Sequence, residues 1–342
     1  MSMFDDTFGA ADEDLCGADE HTHSVALERL QHDLRLTMRA HEQRARGWPS
    51  AGACGAFARQ RRALIEWMCD GADRLALHRS TFHTASNLLD RTLSQTTLAH
   101  EGRLGLISIA CLRIAAKHCE AESAVPHLAA LVAECGERYT ELDIARMEIA
   151  VLTQLEWRVH CNTAYDFVGV LGLTSLIRAG DEINGMAVGP SDPPGPHTAD
   201  VDLLIRRYAG FFVDLSVYEF PHGSQPASLT AAAAVAAARV LFSVSPTWPD
   251  CLRRDSGYAQ PALHETLSML LDIFMHDFSD DWANLQQMAS GIAPFAAGLR
   301  LGERRSDMSC EQVLSPTSVA DIAALSAHHA PGQVTACCRH SY

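Results

Sequence analysis

The chain has 342 residues, 47% of them hydrophobic and 7% aromatic, and carries a formal net charge of −15. That apolar content supports a sizeable core and excludes a wholly disordered chain, and the length makes two domains of ordinary size the starting expectation. The acid excess disfavours a nucleic-acid or anionic-membrane partner, because either needs a basic face.

The eleven cysteines are odd in number, scattered and free of CxxC spacing, so they read as reduced thiols of an intracellular protein. No metal and no cofactor are expected. The cluster His328, His329, Cys337, Cys338 and His340 reads as part of a flexible tail. The start is acidic, without a basic then apolar signal segment, and no run reaches membrane-spanning length. The expectation is a soluble protein of nucleus and cytoplasm.

In chain order, residues 1–20 read as an acidic disordered tail and 21–56 as an N-terminal helix and joint. In "SVALERLQHDLRLTMRAHEQRAR" Leu27, Leu30, Leu34 and Met38 recur at helical spacing, and "GWPSAGACG" ends the pattern. Five helical stretches follow, at roughly 57–70, 80–94, 104–118, 126–135 and 141–156. A Gly/Pro/Asp-rich joint closes the region, and 169–200 reads as a linker. Residues 201–300 are again helical, with "DLLIRRYAGFFVDLSVYEF", "ASLTAAAAVAAARVLF" and "ALHETLSMLLDIFMHDF". Residues 301–342 read as a flexible tail. No strand-period alternation of useful length occurs, so the predicted fold class is all-α.

Three places break the apolar pattern. "LGLISIACLRIAAK" is apolar on nearly every side, interrupted by Ser108 and Arg113, and belongs at the centre of a bundle. It ends in Lys117, the one lysine among 27 basic side chains. A cation at a helix C-terminus offsets the helix dipole, which is the plain reading of its position. Glu148 lies in a helix opened by a Thr140/Asp143 capping box, on a stripe with Ile144, Leu152 and Leu155. A carboxylate on an apolar stripe is costly unless it is paired internally or used at an interface. Asp90 sits among the core-like Leu88, Leu89 and Leu93, and Arg61 is its natural partner.

The segments "ALIEWM", "LALHRSTFHTASNLLDRTLS", "LGLISIACLRIAAKHCE" and "YTELDIARMEIAVLTQLEWRV", in that order, resemble the first cyclin box. The resemblance covers 57–168, and the family's five hallmark positions fall on Arg61, Asp90, Leu106, Lys117 and Glu148. The second region, most clearly "PTWPDCLRRDSGY", resembles the C-terminal box of cell-cycle cyclins of A, B or E character. The resemblance implies two tandem five-helix cyclin-box domains, 57–168 and 201–300, preceded by an N-terminal helix.

It further implies a non-catalytic regulatory subunit. Such a subunit binds and activates a cyclin-dependent protein kinase by packing against the kinase's mobile αC helix, and so controls cell-cycle progression. Lys117 and Glu148 would stand together on the kinase-facing surface, with Ile114, Leu152 and Trp157 as apolar contacts. Arg61 and Asp90 would tie the first two helices internally. Leu64 and Trp67 match a patch that docks kinase substrates or inhibitors. Gln60, Ala63, Gly105 and Arg74 depart from that patch while Asp70 keeps one of its acids, so weakened docking is implied; the plain alternative is that Leu64 and Trp67 are core.

Two other readings share the fold: a transcription adaptor, which wants a zinc ribbon and a basic face, and a scaffold without kinase activation. A helical enzyme lacks support, because no phosphate loop, HExxH or GxSxG occurs.

Overall fold

A computed structural model describes residues 29–43, 58–94, 103–189, 195–219 and 224–279. The acidic start, the joint after residue 43 and the C-terminal tail with its His/Cys group lie outside the described residues.

The helices are α1 (29–43), α2 (Ala58–Arg74), α3 (Arg79–Ser94), α4 (Leu104–Cys119), α5 (Leu128–Glu134), α6 (Glu141–Gln154) and α7 (Ala164–Leu171). They continue with α8 (Pro196–Glu219), α9 (Ala227–Leu241), α10 (Asp250–Ser256) and α11 (Gln260–Asp277). The chain forms two compact units. The first holds 1–174, 217–232 and 250–259, the second 175–216, 233–249 and the residues from 260 onward. Helices α8 and α9 each contribute residues to both units.

In the first unit α4 is the central element, packed against α2, α3 and α6. Its Ile107, Ile109, Ala110, Cys111, Ala115 and Ala116 are fully buried, as an all-apolar helix requires. Helix α3 is buried from Thr81 to Leu93 although eight of those thirteen residues are polar. Two of its buried hydroxyls bond the helix's own carbonyls. Ser86 donates to the Phe82 carbonyl at 2.9 Å and Thr92 to that of Leu88 at 2.7 Å. Ser108 does the same on α4, bonding the Leu104 carbonyl at 3.0 Å. Without those bonds each buried hydroxyl would cost about 1–3 kcal/mol.

Two capping boxes start α6 and α7. Thr140 Oγ1 accepts from the Asp143 amide at 3.2 Å, and the pattern repeats at Thr163 and Asp166. The Thr140 hydroxyl and amide both donate to the Asp143 carboxylate and hold its pKa below the ordinary value.

Helix α1 differs from its sequence pattern. Leu30 and Leu34 are exposed, and the face that packs carries Gln31, Arg35, Met38 and Glu42. This face also recurs at helical spacing, and it meets polar partners. Arg35 lies 3.5 Å from Asp255, Glu42 accepts from the Ser228 amide at 2.8 Å, and Asn162 donates to the Met38 carbonyl at 3.1 Å. The Arg39 guanidinium lies over the Tyr258 ring, 4.4 Å from its centre.

The second unit corrects the linker expectation for part of 169–200. Glu182–Ile183 (β1), Met186–Ala187 (β2) and Val244–Ser245 (β3) form an antiparallel strip in the order β2-β1-β3. Leu176, Ile177 and Ile183 are buried there. Strands of two residues are too short to show alternation. The hairpin turn itself is Asn184-Gly185, both at positive φ (50° and 75°), a dipeptide that favours such turns.

Arg239 holds this region together, with no exposed surface. Its guanidinium lies 3.0 Å from Asp181 Oδ1 and donates to Asp181 Oδ2 at 3.1 Å. It also donates to the carbonyls of Leu176, Pro246 and Thr247, the last two at 2.7 and 3.1 Å. Four hydrogen bonds and one further ion-pair contact thus surround the guanidinium. Nearby, Asp202 accepts from Ser175 Oγ, the Ile177 amide and Arg206 Nε, at 2.9, 3.2 and 2.6 Å. The apolar core of the unit is aromatic: Tyr208, Phe211, Phe212, Phe242 and Phe274 meet mostly edge to face.

Candidate functional site

The site starts from two helices. Helix α4 brings Lys117 to the end of its last turn, where the buried surround gives out. Helix α6 places Glu148 on the same stripe as Ile144, Leu152 and Leu155, all of them buried. The two helices pack together, and Lys117 Nζ pairs with Glu148 Oε1. Arg113, one turn before Lys117 on α4, brings Nη1 to 3.4 Å from Glu148 Oε2. One carboxylate is therefore bracketed by two cations.

The three side chains differ in access. Lys117 is 44% exposed, Glu148 10% and Arg113 15%. The expected pair turned outward together is corrected in this respect: the carboxylate is held inside by both cations, and the ammonium alone reaches well into solvent. An ammonium so placed donates up to three hydrogen bonds, one of them to Glu148.

The apolar contact set also changes. Ile114 and Leu152 belong to the core, 4% and 9% exposed. Ile114 lies on the all-apolar α4, and Leu152 lies on the stripe that α6 buries. The exposed apolar side chains are Leu142 (55%), Ile149 (60%) and Trp157 (67%). Leu142 and Ile149 lie two turns apart on the outer face of α6, with the half-buried Ala145 between them. The sequence held that signal, since "ELDIARMEIAVL" is apolar on two faces, and one stripe accounts for only half of it. Trp157 follows the helix in a left-handed hook. Glu156 and Trp157 have φ of 52° and 60°, and the Trp157 amide donates to the Leu152 carbonyl at 2.8 Å. Left-handed backbone at non-glycine residues costs roughly 1–2 kcal/mol each.

Arg61 and Asp90 lie apart from this surface. Arg61 Nε and Nη2 donate to the two Asp90 oxygens at 2.7 and 2.9 Å, joining α2 to α3, and Nη1 reaches the Tyr218 carbonyl at 3.1 Å. Both side chains are almost wholly buried. Leu64 and Trp67 on α2 are half-buried and pack against the core. The departures around them have local causes. A Cβ on Gly105 would stand 3.2 Å from the Tyr139 hydroxyl, so that tyrosine occupies the space a larger residue would take. Arg74 pairs with Glu134, which offsets the positive charge at that end of α2.

Among the described residues no group of three or more His, Cys, Asp or Glu is placed to hold a metal ion, and no helix is long and apolar enough to cross a membrane.

A buried apolar helix ringed by its neighbours, an internal Arg–Asp tie between the first two helices, and a lysine–glutamate pair at the end of the central helix define a cyclin-box protein. Residues 53–160 match the family model for the cyclin N-terminal domain and 196–290 that for the cyclin C-terminal domain. The chain belongs to the cyclin family.

Cyclin-B1-4 of Arabidopsis thaliana is 27% identical over 217 residues, covering 63% of this chain and 49% of that relative. G2/mitotic-specific cyclin-2 of Medicago sativa is 28% identical over 213 residues, 62% of this chain and 56% of that relative. Cyclin-J of Homo sapiens is 26% identical over 254 residues, 73% of this chain and 62% of the relative. The chain thus spans about half the length of the mitotic relatives it matches. A viral cyclin from herpesvirus saimiri aligns with a TM-score of 0.48 at 18% identity, over 63% of this chain and 84% of the viral one.

Proposed function

We propose that this cyclin is the regulatory subunit of a cyclin-dependent serine/threonine kinase and that it activates the kinase by packing against its αC helix. The observation that carries the reading is the half-exposed Lys117 ammonium above a buried carboxylate, on a unit whose α6 and following hook expose Leu142, Ile149 and Trp157. Apolar residues give such a contact its affinity, and a fixed donor sets its register.

A kinase is active when its β3 lysine pairs with a glutamate of αC and its activation loop is ordered. A rigid helical surface that binds only that arrangement shifts the kinase population toward it. Lys117 serves as donor to main-chain oxygen of the partner, and Glu148 holds the ammonium in place until contact. Arginine is a poor replacement at 117, since its planar fork does not fit where a compact ammonium does.

The test is activation of a kinase catalytic subunit by the double variant Lys117→Ala/Glu148→Ala. Truncating a desolvated charge at an interface typically costs about 2–5 kcal/mol, so affinity should fall roughly 30-fold or more while the circular dichroism spectrum is unchanged. Full activation by the folded double variant would refute the reading and leave a cyclin-fold scaffold or transcription adaptor in its place. Fluorescence imaging of the tagged chain tests the accompanying proposal of nuclear and cytoplasmic residence.

A further inference from the structure

Arg113 is the residue at this site that the apolar pattern of its helix does not explain. It interrupts the most apolar helix of the chain, its side chain is only 15% exposed, and its Nε and Nη1 are both buried without a hydrogen-bond partner. A leucine there would pack without stranding a donor. What Arg113 does have is Glu148: Nη1 lies 3.4 Å from Oε2, while Lys117 holds Oε1.

We propose that Arg113 is a positioning residue that keeps Glu148 compensated when Lys117 leaves it for an acceptor on a partner. This inference rests on the proposed kinase-facing role of Lys117. The physical problem it solves is general. A carboxylate that is only 10% exposed and has one cation cannot release that cation without being left charged and unpaired. That penalty would weaken any partner contact made by Lys117 by roughly a hundredfold or more.

A second cation removes most of the penalty. When the ammonium swings outward, the guanidinium closes the remaining distance to Oε2 and takes over the carboxylate. The released Oε1 then becomes an acceptor for a partner N–H. Arg113 and Lys117 lie four residues apart on α4, so both reach the same carboxylate from one helix face. The two cations also carry one net positive charge over Glu148, which favours a partner that offers oxygen atoms, such as the free carbonyls at a helix C-terminus.

The single lysine gives the test a clean readout, because acylation of side-chain amines by N-hydroxysuccinimidyl acetate has one target in these 342 residues. In the free chain Arg113→Leu should slow acylation of Lys117 several-fold, since the ammonium becomes the sole counterion of Glu148. Mass spectrometry of the Lys117 peptide measures this. Binding to a kinase catalytic subunit should weaken about a hundredfold in Arg113→Leu and recover in Arg113→Lys. In a Lys117→Met background Arg113→Leu should have no further effect on binding. Arg113→Gln replaces the leucine variant should that variant unfold. Equal acylation rates in wild type and variant overturn the inference, and so does undiminished binding by a folded Arg113→Leu. A wild-type chain that binds no kinase overturns the functional reading alone, and the acylation rates then decide the role of Arg113.

Discussion

Replacing Arg239 with leucine removes a cation with no exposed surface and leaves Asp181, 3% exposed at the side chain, without its counterion. Breaking a buried pair in this way costs about 3–5 kcal/mol. The carbonyls of Leu176, Pro246 and Thr247 lose a donor each, at about 1 kcal/mol apiece. The total, roughly 6–8 kcal/mol, is as large as the whole stability of many domains, about 5–15 kcal/mol. The second unit is therefore expected to lose most of its protection in Arg239→Leu. Arg239→Lys keeps the charge but offers three donors for five acceptors, so a smaller loss of about 2 kcal/mol follows. Arg239→Leu/Asp181→Leu removes both charges and should be milder than Arg239→Leu alone. Hydrogen exchange of residues 233–249, read by mass spectrometry across a urea series, resolves this unit from the other. Exchange in Arg239→Leu within about 1 kcal/mol of wild type would refute the reasoning.

Arg61→Met should likewise destabilise the first unit by about 3–5 kcal/mol, because it removes the cation paired with the buried Asp90, and Arg61→Met/Asp90→Leu should recover part of that; urea midpoints followed by exchange in α2 and α3 check both. Burial pushes the Cys111 and Cys161 thiols up to about 12 from the ordinary 9.0, so native protein at pH 8 should alkylate at Cys119 before either of them. The sign for stability follows: the folded state binds those protons more tightly, so this contribution is complete below pH 9.0 and is lost as pH climbs toward 12. Urea midpoints that stay level from pH 8 to 11 in wild type, or fall equally in Cys111→Ala/Cys161→Ala, would count against it.

What the sequence reveals of this protein depends on how local each signal is. The α4 core helix, the Thr140 cap and the Glu148 stripe are all readable within one or two turns of chain, and the structure has them at those residues. The docking face of α1 was misread because Leu30 and Leu34 look decisive, whereas the partners that select Arg35, Met38 and Glu42 lie more than a hundred residues away. Asp181 and Arg239 are separated by 58 residues and neither looks unusual beside its neighbours, so their pairing was invisible. Asn184-Gly185 is a local turn signal, but inside a Gly/Pro-rich stretch it does not stand out from its neighbours. At the candidate site, Lys117 and Glu148 are close in space as their helical positions suggest. The outward apolar residues of α6, Leu142 and Ile149, lie on its second apolar face, away from the stripe that carries Glu148.

The left-handed hook at Glu156 and Trp157 has a consequence for association. A large aromatic ring at the end of a pliable loop must give up its freedom when it docks, and that loss is subtracted from the affinity it brings. Here the backbone accepts an unfavourable conformation at folding, so in the proposed kinase contact part of the cost of ordering the segment that carries the indole is met before the partner arrives. Glycine at 156 and 157 would relax the fold and slacken the ring, a trade in which a more comfortable protein makes a poorer docking surface.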